Sequence, residues 1–145
     1  MKNVKTSNVL TFQTEKDIAT WKNTDTLLNG IISSSIFYLR GYQHIQIGHL
    51  SFWTYYDKTC LKEDEQDPII FFHGIGAGLL MYQPFISRVH KQFSRRHRII
   101  LISMRCICMR YPSIKDIPNM FETIHSIKLI FDYYQFKKAI FIGHR

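Results

Sequence analysis

Acidic residues are scarce in this chain: eleven Asp and Glu stand against nineteen Lys and Arg in 145 residues, leaving a formal charge of +8. That balance attracts phosphate-rich or anionic-lipid surfaces at low salt, without identifying one. Cysteine is scarce as well. Cys60, Cys106 and Cys108 cannot all pair within one chain, and none has the C-x-x-C spacing of a zinc or thioredoxin site, so a reducing, cytoplasmic setting is the simple reading. Seven Gly and four Pro exclude a collagen-like composition, and a hydrophobic fraction of 46% excludes a disordered one. No run reaches the roughly 18 apolar residues of a membrane span. The opening MKNVKTSNVLTFQTEKD has neither the apolar stretch of a secretory signal nor the acid-free character of a mitochondrial presequence. No internal repeat or low-complexity tract is visible.

Two regions divide the chain. Residues 1–43 read as a polar lead-in followed by a short apolar helix; residues 44–145 read as a partial domain. Within the first, LLNGIISSSIFYL (Leu27 to Leu39) is too short to span a bilayer. It is either a buried helix, the preferred reading, or a membrane-surface contact. From His44 to Asp57 β-branched and aromatic residues predict two short strands, with Gly48 breaking them into a hairpin. The charged loop KTCLKEDEQD ends at Pro68, before the apolar run Ile69 to Phe72.

Apolar runs then alternate with helical spacing. Leu79, Tyr82, Phe85, Ile86, Val89 and Phe93 predict a helix, with Pro84 either kinking it or confining its regular part to the C-terminal side. Ile99 to Ile102 is a second strand run, thirty residues after the first, the length of one strand–helix–strand unit. Met120, Ile124, Ile127, Phe131 and Tyr134 predict one buried helical face, and Ala139 to Ile142 a last strand. The expectation is an α/β fold: a mainly parallel sheet with flanking helices, preceded by a hairpin.

Ligands in such sheets sit beyond the carboxyl ends of the strands. There the first run ends in His73-Gly74-Ile75-Gly76-Ala77-Gly78, a turn whose glycines let backbone N–H groups approach an anion. The turn has neither the Lys-Ser/Thr of a P-loop nor the G-x-G-x-x-G spacing of a dinucleotide site. A tight strand-to-helix connection is its plain alternative. The last run ends in Gly143-His144-Arg145.

A strand followed by His-Gly, and seventy residues later a strand followed by Gly-His, resembles the α/β-hydrolase family over roughly residues 44–145. PIIFFHGIGAGLLMYQPFI is similar to that family's third strand with its oxyanion turn, and KKAIFIGH to its fifth strand leading into the nucleophile elbow, G-x-S-x-G. The resemblance implies an esterase-like acyl transfer without metal or organic cofactor. It implies oxyanion donors from the turn Gly74, Ile75 and Gly76, with Ile75 N–H foremost, and a loop-bracing rather than catalytic His73. Gly143 and His144 would be the elbow remnant.

The sequence departs from that pattern where it matters for chemistry. Arg145 stands at the nucleophile position, and a permanently charged guanidinium is no nucleophile. The chain therefore reads as the N-terminal fragment of such a hydrolase, inactive as it stands, with an ester-like small-molecule substrate only in a complete homologue. A fifth strand beside the third would leave Ala139 to Ile142 as an apolar edge, so a non-catalytic interaction fragment is the competing reading. Arg88 to Arg110 holds seven basic and no acidic residues. A nucleic-acid module is disfavoured, because the Arg cluster falls at a helix-to-strand turn and no module motif accompanies it. His125, three residues after Glu122, reads as half of an exposed helix-face pair. Nothing in the sequence sets an oligomeric state.

Overall fold

Continuous apolar runs make the centre of the sheet. A computed structural model describes residues 24–61, 64–74, 78–104 and 117–144. In chain order the elements are helix α1 (Thr24–Leu39), strands β1 (Gln43–Ile47), β2 (Leu50–Tyr55) and β3 (Gln66–Phe72), a 3-10 turn (Gly78–Tyr82), helix α2 (Gln83–Phe93), strand β4 (His97–Ser103), helix α3 (Met120–Tyr134) and strand β5 (Ile140–Gly143). The five strands form one sheet in the order β1-β2-β4-β3-β5.

The sheet is mixed rather than mainly parallel. β1 pairs antiparallel with β2, and β2 antiparallel with β4, while β3 runs parallel to both β4 and β5. The hairpin does not merely precede the sheet; it extends it through β2. Gly48 and His49 form the two-residue connection closed by the pair Ile47 and Leu50. Gly48 has φ +58 and His49 does not have a positive φ, the sign pattern of a type II′ hairpin turn.

The runs in β3 and β4 are apolar on every residue because both faces of the sheet are covered. Trp53, Ile69, Phe71, Ile99 and Leu101 face Phe37 of α1 and Ile86 and Val89 of α2. Phe52, Ile70, Ile100 and Ile102 face Ile130 of α3. Successive strand side chains alternate between these two cores, as a pleated strand requires. β3 begins at Gln66, not after Pro68, and Pro68 is buried within it. Lacking an N–H, a proline interrupts the ladder, and the β3–β4 register shifts between Gln66 and Ile69.

Local signals set the helix ends. Gly41 N–H donates to the Tyr38 carbonyl and Tyr42 N–H to that of Phe37, with Gly41 at φ +81; this is a Schellman stop for α1. The rings of Phe37 and Tyr42 meet edge to face across it. Pro84 lies in the first turn of α2, where its missing N–H costs nothing, and the residues before it form the 3-10 turn. Asn119 and Glu122 make a reciprocal capping box at the start of α3. Glu122 accepts from Asn119 N–H, so its carboxylate serves the cap rather than a pair with exposed His125.

The expected stripe of α3 holds at Ile127, Phe131 and Tyr134, which pack against the core, and fails at its N-terminal end. Met120 and Ile124 are exposed, whereas Ser126 and Ile130 are buried. The hairpin turn explains why Ser126 is buried. Ser126 Oγ accepts from His49 N–H at 3.0 Å and donates to the Glu122 carbonyl at 2.7 Å, so a small hydroxyl seats the turn against the helix.

Candidate functional site

The carboxyl ends of β3, β4 and β5 lie together because β3 is flanked by β4 and β5 in parallel registers. His144 N–H donates to the Phe72 carbonyl at 3.1 Å, carrying the β3–β5 ladder one residue past β5. His73-Gly74 and Gly143-His144, seventy residues apart in sequence, thus become neighbours. A Cβ on Gly74 would sit 2.9 Å from the His144 carbonyl oxygen and 3.0 Å from its Nδ1. Gly74 is the residue that lets the backbone following β5 approach the turn. At Gly143, by contrast, an added Cβ meets nothing within 4 Å.

His73 is buried and bonded at both ring nitrogens. Nδ1 lies 2.8 Å from the Gly74 carbonyl and Nε2 lies 3.1 Å from Met104 N–H. A carbonyl only accepts and an amide only donates, which fixes the neutral tautomer with the proton on Nδ1. Burial pushes the imidazole below its ordinary value, opposed by the bond to Gly74. The ring therefore ties the end of β3 to the residue following β4. With both nitrogens engaged in these backbone bonds, it is badly placed to move protons for a substrate.

Tyr82, at the end of the 3-10 turn, is the site residue that sequence reasoning missed. Its hydroxyl accepts from Gly74 N–H at 3.1 Å and lies 2.9 Å from His144 Nδ1. With Gly74 donating, the hydroxyl proton is free to point at His144, giving a short chain from turn to tyrosine to the residue after β5. The ring also packs edge to face on Phe71, so the helical periodicity that marked Tyr82 as apolar core was half the account. Nothing in its spacing distinguished a hydroxyl with a task from a core aromatic; only its place shortly after a glycine-rich turn pointed that way.

Ile75, Gly76 and Arg145 lie outside the described residues, as do Cys106, Cys108 and the end of the basic stretch. Gly74, His73, Gly143 and His144 are brought together; His125 on α3 is not part of the cluster. Among the described residues no group of three or more His, Cys, Asp or Glu is placed to hold a metal ion. What the described cluster offers chemically is a tyrosine hydroxyl beside an exposed imidazole, while the Gly74 and His144 N–H groups are spent on Tyr82 and on the Phe72 carbonyl. Compared with known proteins, the chain matches no family model and no curated sequence.

Proposed function

We propose that residues 44–145 are the oxyanion-turn and elbow half of an α/β-hydrolase-type domain, in a chain that does not itself carry out serine-dependent acyl transfer at its elbow. The observation that carries this reading is the approach of Gly74 to His144 across the parallel β3–β5 pair. An acyl-transfer site of that type needs the turn after one strand and the elbow after another to converge on a single oxyanion, one backbone N–H coming from each. The adjacency of two segments seventy residues apart, His73-Gly74 and Gly143-His144, supports that reading. The parallel ladders are those that carry the cluster, and the antiparallel ones belong to the hairpin at the other side of the sheet. His73 then acts as a brace, and Arg145 removes the nucleophile.

Two measurements test the two halves of the reading. A fluorophosphonate probe and short-chain aryl esters are expected to give neither label nor turnover; a labelled serine in residues 44–145 would overturn the claim of inactivity. The convergence is tested by Ile69→Cys with Ile140→Cys in a background whose native cysteines are serine. These positions are paired neighbours on β3 and β5, so oxidation is expected to join them. Failure to cross-link in the folded chain removes the strand adjacency on which the hydrolase reading stands.

An edge-pairing role is the second reading, favoured by one observation. β5 is bonded only to β3 in the described sheet, and Ile140 and Phe141 on it are 44% and 53% exposed. Such an edge recruits strands from other chains.

A further inference from the structure

Helix α1 is apolar on the side that the described residues leave open. Phe37 is fully buried, and Ser33, Ser34 and Ile36 are partly covered. On the opposite side Ile31, Ile32, Ser35, Tyr38 and Leu39 follow the i, i+1, i+4, i+7, i+8 spacing of one helical face, and all five are exposed. Leu39 is 83% exposed and Tyr38 61%. A solvent-facing helical stripe is ordinarily charged or polar; this one has a single polar residue, a serine.

Its surroundings are cationic. No acidic residue occurs between Asp25 and Asp57. Arg40 directly follows the stripe and reaches α2, where its guanidinium donates to Gln83 at 3.2 Å and to Ser87 at 2.8 Å. Exposed Arg88 is next to Ser87, and exposed Lys91 is one turn further along α2. An apolar stripe ending at Arg40, which ties it to a helix that exposes Arg88 and Lys91, on a chain of charge +8 complements one kind of surface: apolar beneath an anionic layer. No described helix is long and apolar enough to cross a membrane. A helix lying in the plane of the interface needs no such length.

We infer that the exposed face of α1, with Arg40 at its end and the exposed Arg88 and Lys91 of the helix that Arg40 joins, docks this chain onto the surface of an anionic lipid bilayer. Tyr38 and Leu39 enter the headgroup–acyl boundary, and the cations remain among the phosphates. The inference does not depend on the hydrolase reading.

Flotation of the full chain with phosphatidylserine–phosphatidylcholine vesicles at physiological ionic strength tests it, with phosphatidylcholine vesicles alongside. The wild type is expected to float with the anionic vesicles and far less with the neutral ones. Tyr38→Ser with Leu39→Ser, which leaves the charge unchanged, is expected to lower binding roughly tenfold or more, since apolar burial is lost. Arg88→Glu with Lys91→Glu is expected to weaken binding and flatten its salt dependence. All four positions are exposed, so a matching urea midpoint is expected and excludes misfolding as the cause. Three outcomes overturn the inference: no flotation of the wild type, equal flotation with neutral vesicles, or unchanged binding of the Tyr38, Leu39 variant. The last, together with complete competition by heparin, would assign the attraction to net charge alone.

Discussion

Substituting Gly48 by alanine perturbs two contributions that the structure separates. The first is conformational: at φ +58 an L-residue costs about 1–2 kcal/mol more than glycine. The second is steric. The new Cβ would lie 2.6 Å from Ser126 Oγ, 3.2 Å from Ser126 Cβ and 3.4 Å from Leu129 Cδ1. Ser126 is buried and its hydroxyl is held by His49 N–H and the Glu122 carbonyl, so it cannot simply swing aside. Overpacking of this kind costs about 1–3 kcal/mol, giving a total of about 2–5 kcal/mol. Ser126→Ala alone removes the acceptor for His49 N–H. Because His49 is exposed and water can replace the lost partner, the cost is about 1 kcal/mol. In the alanine background the closest contact is gone, and Gly48→Ala should cost at least about 1 kcal/mol less than in the wild type. Urea unfolding of the four proteins, with m-values compared to verify a common two-state transition, gives the coupling directly. A coupling below about 0.3 kcal/mol would refute the steric half of the reasoning and leave the turn conformation as the whole effect.

Three further outcomes are expected. His73 and His90 are both held below their ordinary value, each first by burial. The unfolded chain therefore binds more protons, and stability falls as pH drops through the ordinary imidazole value of 6.5 toward the lowered folded values. Urea midpoints between about pH 7.5 and 5 should show this, and His73→Gln should reduce the slope; an unchanged slope would mean His73 does not contribute. Arg98 lies with its guanidinium carbon 4.4 Å from the ring centroids of both Tyr56 and Tyr134, so Arg98→Lys should lose about 1 kcal/mol although charge is kept. A neutral swap in thermal melting would show the stack to be incidental. Phe141→Lys, on the outer strand, should suppress concentration-dependent association seen by light scattering; equal association in the variant would place the sticky surface elsewhere.

The parts of this fold legible in sequence are those written in long, one-sided patterns. Ile69 to Phe72 and Ile99 to Ile102 are apolar at every position, which belongs to strands covered on both faces, and they are the sheet's centre. Gly48 between two β-branched runs marked a hairpin, and Pro84 marked where the regular helix begins. Strand direction is not written in such patterns, so the antiparallel pairing of β2 with β4 went unseen. A small polar residue such as Ser126 reads as surface, yet its size is what admits the hairpin turn, and Met120 and Ile124 read as buried for the converse reason. At the candidate site, the glycine of Gly74 and the two-ended bonding of His73 follow from residues that were singled out. The part played by Tyr82 depends on where a hydroxyl ends up after two distant segments meet, and no spacing within one segment encodes that.

The place of β3 between β4 and β5 sets an order in time as well as in space. During synthesis His73-Gly74 leaves the ribosome seventy positions ahead of its neighbour His144, an interval of roughly 4–14 s at usual elongation rates. The hairpin, β3 and β4 are then all present while one flank of β3 still awaits β5, and among the described strands the longest connection between neighbours closes after the others. Until that closure Tyr82 has Gly74 but no histidine to meet, so the three-residue cluster forms only once β5 has docked on β3. Any partner that captures the open flank of β3 first would intercept the chain before the cluster exists.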